Sequence, residues 1–548
     1  MDRPPTPAKS QKYRLPGTLT ALMACLYFLL AGLTFLSNIG VEHDETIFAM
    51  AFLKPTGEAY AIRIGHSHIP LMIMSYIGTL KAWLYRPILR MFGTGMLPLR
   101  LPMLLAGVAS VWLFFLLLRR IAGERAAIIG CTLLAADATY LLTLCFDWGP
   151  VALQHLLLLG GMLLVVRFCQ QQSHHALFWG FFLLGLAIWD KALAVWMLSA
   201  VGVASAVVFP RLILRLLTGR RVALAVAGFL LGALPLLIYN EKNHWDTFRG
   251  NFHKDSSDLP GKARMLMNTA QGGGLFGWMF DENWQTTAPH PARGWAQEFS
   301  ARISSLAGHP RRHLLFYAFL LALALAPLAR GDALRAMAFA LIALAVAWIQ
   351  MAITANAGGS VHHTILLWPL PQLVVAVSFA AASRRLGRAG LPALAVAGAA
   401  MAIAGVLVTA EYQYVSFRYG GSPVWTDAIF ALRDYMKGVH AAHIYSLDWG
   451  ILDSLRLLGN GALPLLVGDD PISKPELSPE DRAPIARMIT DPGAVFIAHT
   501  KDFENFHEVN NKLIKFAAGI GYQRAMIAVI PDTYGRPAYE VYRFVATP

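Results

Sequence analysis

Residues 69–92 read IPLMIMSYIGTLKAWLYRPILRMF, and whether this stretch crosses a membrane decides the topology of the whole chain. It is long enough to cross, since a transmembrane helix needs about 20 mostly apolar residues. Its charges argue otherwise. Lys81, Arg86 and Arg90 follow one another at a little over one helical turn, which suits a helix lying in the interface. Counting it as a span would also put Arg119, Arg120 and Arg125 outside, against the tendency of Lys and Arg to remain cytoplasmic. Read as interfacial, the stretch brings the rest of the chain into agreement.

Working towards the N-terminus, the apolar run at 16–39 follows a tail holding Arg3, Lys9, Lys12 and Arg14. That tail should be cytoplasmic. The run has no small-residue cleavage site before the acidic loop, so it reads as a retained anchor. Working towards the C-terminus, further spans fall at about 99–118, 126–144, 151–168, 177–188, 193–209, 222–239, 314–328, 336–354, 364–382 and 391–410. With the first run this makes about eleven transmembrane helices of the length a bilayer requires. The turns assigned to the inside carry Arg119/Arg120, Arg211/Arg215/Arg220/Arg221, Arg330/Arg335 and Arg384/Arg385/Arg388. Every strongly basic turn then lands on one side.

Composition agrees with a polytopic α-helical membrane protein. Hydrophobic residues make up 56% of the chain and charged ones 14%, with mean hydropathy +0.49. A soluble domain carries nearer a quarter charged residues. The net charge of +13 sits in short clusters between apolar runs, as cytoplasmic loop charge does, so no nucleic-acid partner is expected. Cys25, Cys131, Cys145 and Cys169 form no CxxC pair, and they support neither a disulfide framework nor a zinc knuckle.

Three segments are then expected outside: the loop 40–98, the connection 240–310, and everything after 410, since an odd number of spans leaves the C-terminus there. This divides the chain into a transmembrane domain, 1–410, and an extracytoplasmic domain, 411–548. The latter reads as a small α/β domain. Strand patterns at 444–447, 465–467, 495–498, 524–529 and 539–544 alternate with helical ones such as 427–437 and 502–516.

The chemistry is sought where acids meet the membrane surface. Glu42-His43-Asp44-Glu45 follows the first span, and carboxylates this close raise at least one pKa unless a cation or proton compensates. That makes them candidates for a general base or a metal ligand, with a solvated helix start capped by Asp44 as the structural alternative. Asp147, in Phe146-Asp147-Trp148-Gly149-Pro150, is a second acid at the same end, and an ionisable group at membrane depth points to function. Gly272–Gly277 satisfies GxGxxG but follows no strand, so it is no dinucleotide site. Asp448-Trp449-Gly450 echoes Asp147-Trp148-Gly149 and is read as coincidence. Trp278, Trp284 and Trp295 are read as interface aromatics rather than sugar-stacking rings.

Four stretches together resemble the GT-C superfamily of membrane glycosyltransferases, in particular the family of protein O-mannosyltransferases and aminoarabinose transferases. Asp44-Glu45-Thr46-Ile47-Phe48-Ala49 is similar to the family's Asp-Glu motif. His66-Ser67-His68-Ile69-Pro70-Leu71 resembles its His-Pro-Pro-Leu or Lys-Pro-Pro-Leu segment, with Ile69 in place of a usual Pro. Arg100-Leu101-Pro102, with the span ending at Arg119-Arg120-Ile121-Ala122-Gly123, is similar to the span that follows. Asp147 takes the place of the second acid. The resemblance covers about the first 170 residues in order.

The resemblance implies a GT-C fold and an activity: transfer of a sugar from a polyprenyl-phosphate donor to a lipid, glycan or protein acceptor, with inversion, at the outer face of the cell inner membrane. Asp44 would be the base and Glu45 its support. The departing lipid phosphate needs offsetting charge, for which His68, Lys191, His362 and His363 are candidates, with His66 and Asp147 as further substrate-binding residues. A divalent metal is left open, with Asp44, Asp147 and His68 as its candidate ligands. Two rivals stand beside this reading. One is a secondary transporter, which Asp137 inside the third span would suit. The other is a catalytically inactive scaffold of envelope glycan assembly.

Overall fold

The computed structural model describes residues 15–280 and 289–548. The basic residues of the N-terminal tail and Trp284 lie outside the described residues.

The 69–92 stretch does not form one helix. Strands β1 (Tyr60–Ile64), β2 (Ser67–Met74) and β3 (Ile77–Gly78) make a small antiparallel sheet, and only α3, Leu80–Phe92, is helical. At 1.5 Å per residue those 13 residues reach about 20 Å, short of the roughly 30 Å hydrocarbon core. Ile69 to Met72 pair with Ile62 to Tyr60, which removes that half from any helical run.

Helices account for the rest of the bundle. Before the sheet come α1 (Leu15–Leu33) and the single turn α2 (His43–Thr46). After it follow α4 (Met96–Ile121), α5 (Glu124–Ala135), α6 (Ala138–Cys145), α7 (Ala152–Gln171), α8 (His174–Asp190), α9 (Ala194–Val208), α10 (Pro210–Leu216) and α11 (Gly219–Lys242). The long connection holds α12 (Asp246–Arg249), α13 (Leu259–Ala270) and α14 (Trp295–Leu306). Then come α15 (Leu315–Ala324), α16 (Asp332–Ala352), α17 (Val361–Thr364), α18 (Leu370–Arg385) and α19 (Gly390–Tyr419).

Each of the eleven expected spans contains a helix, yet the count by length and apolarity is lower. Six segments qualify alone, or up to eight if each bent pair is one span. The difference has local causes. The α5–α6 pair bends by 61° and the α9–α10 pair by 103°, while α15 has only 10 residues. Asp137 makes the first bend. Its carboxylate caps α6 by accepting from the Tyr140 amide at 3.1 Å, and it also accepts from the Trp368 indole at 2.6 Å and Gln372 at 3.0 Å. It is therefore a buried staple within the bundle rather than a free group at its centre. Pro210 opens α10 at the second bend.

Segment 361–385 runs through the middle of the bundle and is almost wholly buried. Close packing elsewhere depends on small residues. A Cβ on Gly185 of α8 would stand 2.2 Å from the Phe229 carbonyl of α11, so these backbones touch as only glycine allows.

The C-terminal part holds β4 (His443–Ser446), β5 (Leu465–Val467), β6 (Ala494–His499), β7 (Tyr522–Pro531) and β8 (Pro537–Ala546), one for each expected strand. They form one sheet in the order β5-β4-β6-β8-β7, parallel across the first three and antiparallel thereafter. Helix α20 (Ala428–Lys437) packs on β7, β8 and α21 (Ile451–Leu458), and α21 packs on α2.

Candidate active site

The chain leaves α1 and passes so close to the C-terminal part that Gly40 admits no side chain: a Cβ there would lie 1.9 Å from the Thr426 carbonyl. The Gly40 amide donates to Trp425 at 2.8 Å. Glu42 then caps α2, its carboxyl accepting from the Asp44 amide at 2.7 Å. The capping task expected of Asp44 thus falls to Glu42. Burial, with Asp44 adding repulsion, pushes the Glu42 carboxyl up to about 8. Burial also lowers His43.

Glu45 is buried and clasped by Arg100, whose guanidinium donates to both carboxylate oxygens at 2.6 and 2.9 Å. Arg100 comes from the first turns of α4, and its remaining N–H groups go to the Leu36, Ile39 and Gly40 carbonyls. One guanidinium thereby ties the end of α1 to the acidic loop. Burial raises Glu45, and Arg100 works against that rise.

Asp147 is equally committed. One oxygen accepts from the Val151 and Ala152 amides, both at 2.9 Å, capping α7, and the other accepts from Lys81 Nζ at 2.5 Å. Lys81 Nζ also donates to the Glu45 carbonyl at 3.1 Å and lies 4.8 Å from the Phe48 ring centre. Lys81 is therefore a buried ion-pair partner, 4% exposed, and not an interfacial charge. At 100° per residue, Arg86 and Arg90 stand about 140° and 180° around the helix from Lys81. A helical wheel of α3 would have separated them.

Asp44 differs from these neighbours. It is half-buried, and among the described residues no hydrogen bond or ion pair holds its carboxylate. Lys191, in the turn between α8 and α9, lies within electrostatic reach of Asp44, Asp147 and Asp190. Its Nζ donates to the Gly149 carbonyl, and burial lowers its pKa. Sheet β1–β3 fixes that turn: the Ala192 amide donates to Tyr76 at 2.9 Å.

His362 and His363 border the same cluster. Both rings approach Ser360 Oγ at 3.1 Å, and His362 sits edge-on to Trp148 at 4.7 Å between ring centres. Lys191 is within electrostatic reach of both. His363 also lines a cavity of about 260 Å³ with Tyr76, Trp196, Asn251 and His253. The structure thus gathers Asp44, Glu45, Asp147, Lys191, His362 and His363 at one end of the bundle.

It leaves His66 and His68 apart. His66 is exposed in the β1–β2 turn, and His68 pairs with Glu58 at the sheet surface, lining a second cavity of about 690 Å³ with Trp83, Arg86 and Arg90. Asp44, Asp147 and His68 do not form a metal cage; among the described residues no three His, Cys, Asp or Glu side chains do. The loop tryptophans are exposed at Trp278 and Trp295, and Trp278 stands 6.3 Å from Trp148.

Residues 78–239 match the family model of dolichyl-phosphate-mannose-protein mannosyltransferase. That match spans 162 of the 548 residues. ArnT from Cupriavidus metallidurans, solved bound to undecaprenyl phosphate, superposes with a TM-score of 0.58 at 13% identity, covering 96% of this chain and 97% of that one. The apo oligosaccharyltransferase of Archaeoglobus fulgidus gives 0.50 at 10% identity, covering 90% and 70%. No curated protein matches the sequence. The matched segment contains Lys81, Arg100, Asp147 and Lys191, while Asp44 lies before it.

Sequence reasoning missed Lys81, and it quoted Arg100 without giving it a role. Arg100 was readable as a costly cation at the start of an apolar span. Its partner was not, because the fork reaches back 55 residues.

Proposed function

We propose that this protein transfers a sugar from a polyprenyl-phosphate donor to an acceptor hydroxyl or amine at the non-cytoplasmic face of the membrane, with Asp44 as general base. The observation that carries this is the contrast within the cluster. Glu45 and Asp147 have both oxygens engaged, while the Asp44 carboxylate is held by no hydrogen bond or ion pair among the described residues and lies within electrostatic reach of Lys191. A base must be free to take a proton; a carboxylate in two ion-paired bonds is not.

In the transfer, the acceptor oxygen or nitrogen forms a bond to the anomeric carbon as the bond from that carbon to the phosphate oxygen breaks. Asp44 takes the acceptor proton. The polyprenyl phosphate leaves with the bonding pair, and its charge is met by the Lys191 ammonium, with His362 and His363 as neutral ring donors beside it. The family match and the superposition on a protein solved with undecaprenyl phosphate support the donor class. The hydrogen-bond partner of Lys191 Nζ is a neutral carbonyl, that of Gly149, rather than a carboxylate, which leaves its charge available to a phosphate.

The test is sugar transfer from a labelled polyprenyl-phosphate pool in membranes. Asp44→Asn, inserted at wild-type level, is expected to lose transfer; retention of wild-type transfer would remove Asp44 as base. Absence of transfer by wild type itself, with every donor offered, would favour an inactive scaffold.

A further inference from the structure

Nothing in the transfer chemistry requires the C-terminal part, yet it reaches the acidic loop at three consecutive residues. The Ser454 hydroxyl donates to the Val41 carbonyl at 3.0 Å. The Trp449 indole reaches the Glu42 carboxyl, and its ring lies 3.9 Å from that of His43, centre to centre. Asp453 Oδ2 meets His43 Nδ1 at 2.9 Å, while Asp453 Oδ1 is held by Arg456 of the same helix turn. Glu42, in turn, receives the Asp44 amide. The groups around this junction are few: Glu42, His43 and Asp44 from the loop, Asp453 and Arg456 from α21.

The Trp449 platform is itself built. Asp448 accepts from the Trp449 amide at 2.7 Å and from the Asn505 and Phe506 amides at 2.9 and 2.8 Å, and it pairs with His499 at 2.8 Å. Gly450 follows with φ +83°, in the left-handed region, and α21 starts at Ile451. One loop thus delivers an indole, and one turn later a carboxylate, to adjacent residues of α2. A loop with an unengaged catalytic carboxylate gains from such bracing, because reacting groups a few tenths of an ångström out of place lose rate.

We propose that Trp449 and Asp453 are positioning residues of the active site: they hold Glu42 and His43, and through them set the direction of the Asp44 carboxylate. The C-terminal part is then a component of the catalytic centre and not only an acceptor-binding or partner-binding appendage. This rests on Asp44 being the base.

The experiment compares full-length Trp449→Ala, Trp449→Phe, Asp453→Asn and Asp44→Asn in detergent-purified protein of matched thermal stability, measuring kcat and KM for the lipid-linked donor. Trp449→Ala and Asp453→Asn are expected to lower kcat about tenfold with donor KM within twofold of wild type. Trp449→Phe, which keeps the ring against His43, is expected to recover at least half of wild-type kcat. A second readout does not need activity: hydrogen exchange of the 42–46 backbone should accelerate in Trp449→Ala and remain near wild type in Trp449→Phe. Unchanged kcat and unchanged exchange in stable Trp449→Ala and Asp453→Asn, with Asp44→Asn inactive, would overturn this inference and leave the base assignment standing. An active Asp44→Asn would instead overturn the base assignment, whatever the exchange shows. If Trp449→Ala is too unstable to purify, Asp453→Asn and Trp449→Phe decide the matter on the same two readouts.

Discussion

Two tripeptides with the same sequence, Asp147-Trp148-Gly149 in the bundle and Asp448-Trp449-Gly450 at the end of β4, solve the same problem in different surroundings. In each, the Asp carboxylate gathers backbone amides of a turn and one nitrogen-bearing side chain: Val151, Ala152 and Lys81 in the first, Trp449, Asn505, Phe506 and His499 in the second. In each, the glycine has positive φ, +76° and +83°. In each, the tryptophan then meets a histidine of the acidic end, His362 in one case and His43 in the other. The difference lies in the partner. Lys81 brings an ammonium from α3 of the bundle, whereas His499 brings an imidazole from the end of β6. The lesson is that the Asp of this tripeptide builds a turn, whereas the Asp44 carboxylate, proposed above as the base, is held by no hydrogen bond or ion pair among the described residues.

The sharpest test of that contrast is Asp44→Asn. A lost general base costs on the order of 100- to 10,000-fold in rate, with little expected change in thermal stability because no partner is stranded. A large stability loss would show that Asp44 is also structural and would blur the distinction.

Asp147→Ala comes next. It strands Lys81 in the bundle, and removing one partner of a buried pair costs roughly 3–5 kcal/mol, read as a fall in thermal midpoint or in the yield of folded protein. Arg100→Met, which strands Glu45, should cost a similar amount. Asp448→Ala is expected to cost less, about 1–3 kcal/mol for unpaired buried amides. Equal losses at Asp147 and Asp448 would mean that the surroundings of the two turns do not matter.

The smallest effect concerns pH. Glu42 has its pKa raised from 4.5 to about 8, so the folded state holds a proton that the unfolded chain has released. The stability it contributes is complete below the unfolded value and is lost as pH rises through about 8. Glu42→Gln should flatten thermal stability across pH 4.5 to 8, measured against wild type; an unchanged slope would mean that Glu42 is not the titrating group.

Much of this architecture was legible beforehand. The five C-terminal strands were marked by β-branched and aromatic runs, and the bundle helices by apolar length. Asp44, Asp147, Lys191 and His362-His363 were picked out because each stands at a span end on the side opposite the basic turns. His66 and His68 failed by the same standard of proximity. His66 lies in the β1–β2 turn and His68 on β2, and a residue in such a turn or on the outer face of a sheet meets solvent whatever motif it belongs to. The bent spans were not legible either, because a short polar interruption such as Asp137 reads the same whether it breaks a helix or rides inside one.

By itself, the sequence determined that the chain is a membrane protein, where most of its bundle helices and the five C-terminal strands lie, and which end of the bundle holds the acids. These follow from local composition and periodicity, which act over a few turns of chain. Only the tertiary structure decided which acid is free. The guanidinium of Arg100, the ammonium of Lys81 and the indole of Trp449 arrive from 55, 66 and some 400 positions away to engage Glu45, Asp147 and Glu42. A carboxylate's chemistry depends on what lies within a few ångströms of it, and chain distance says nothing about that.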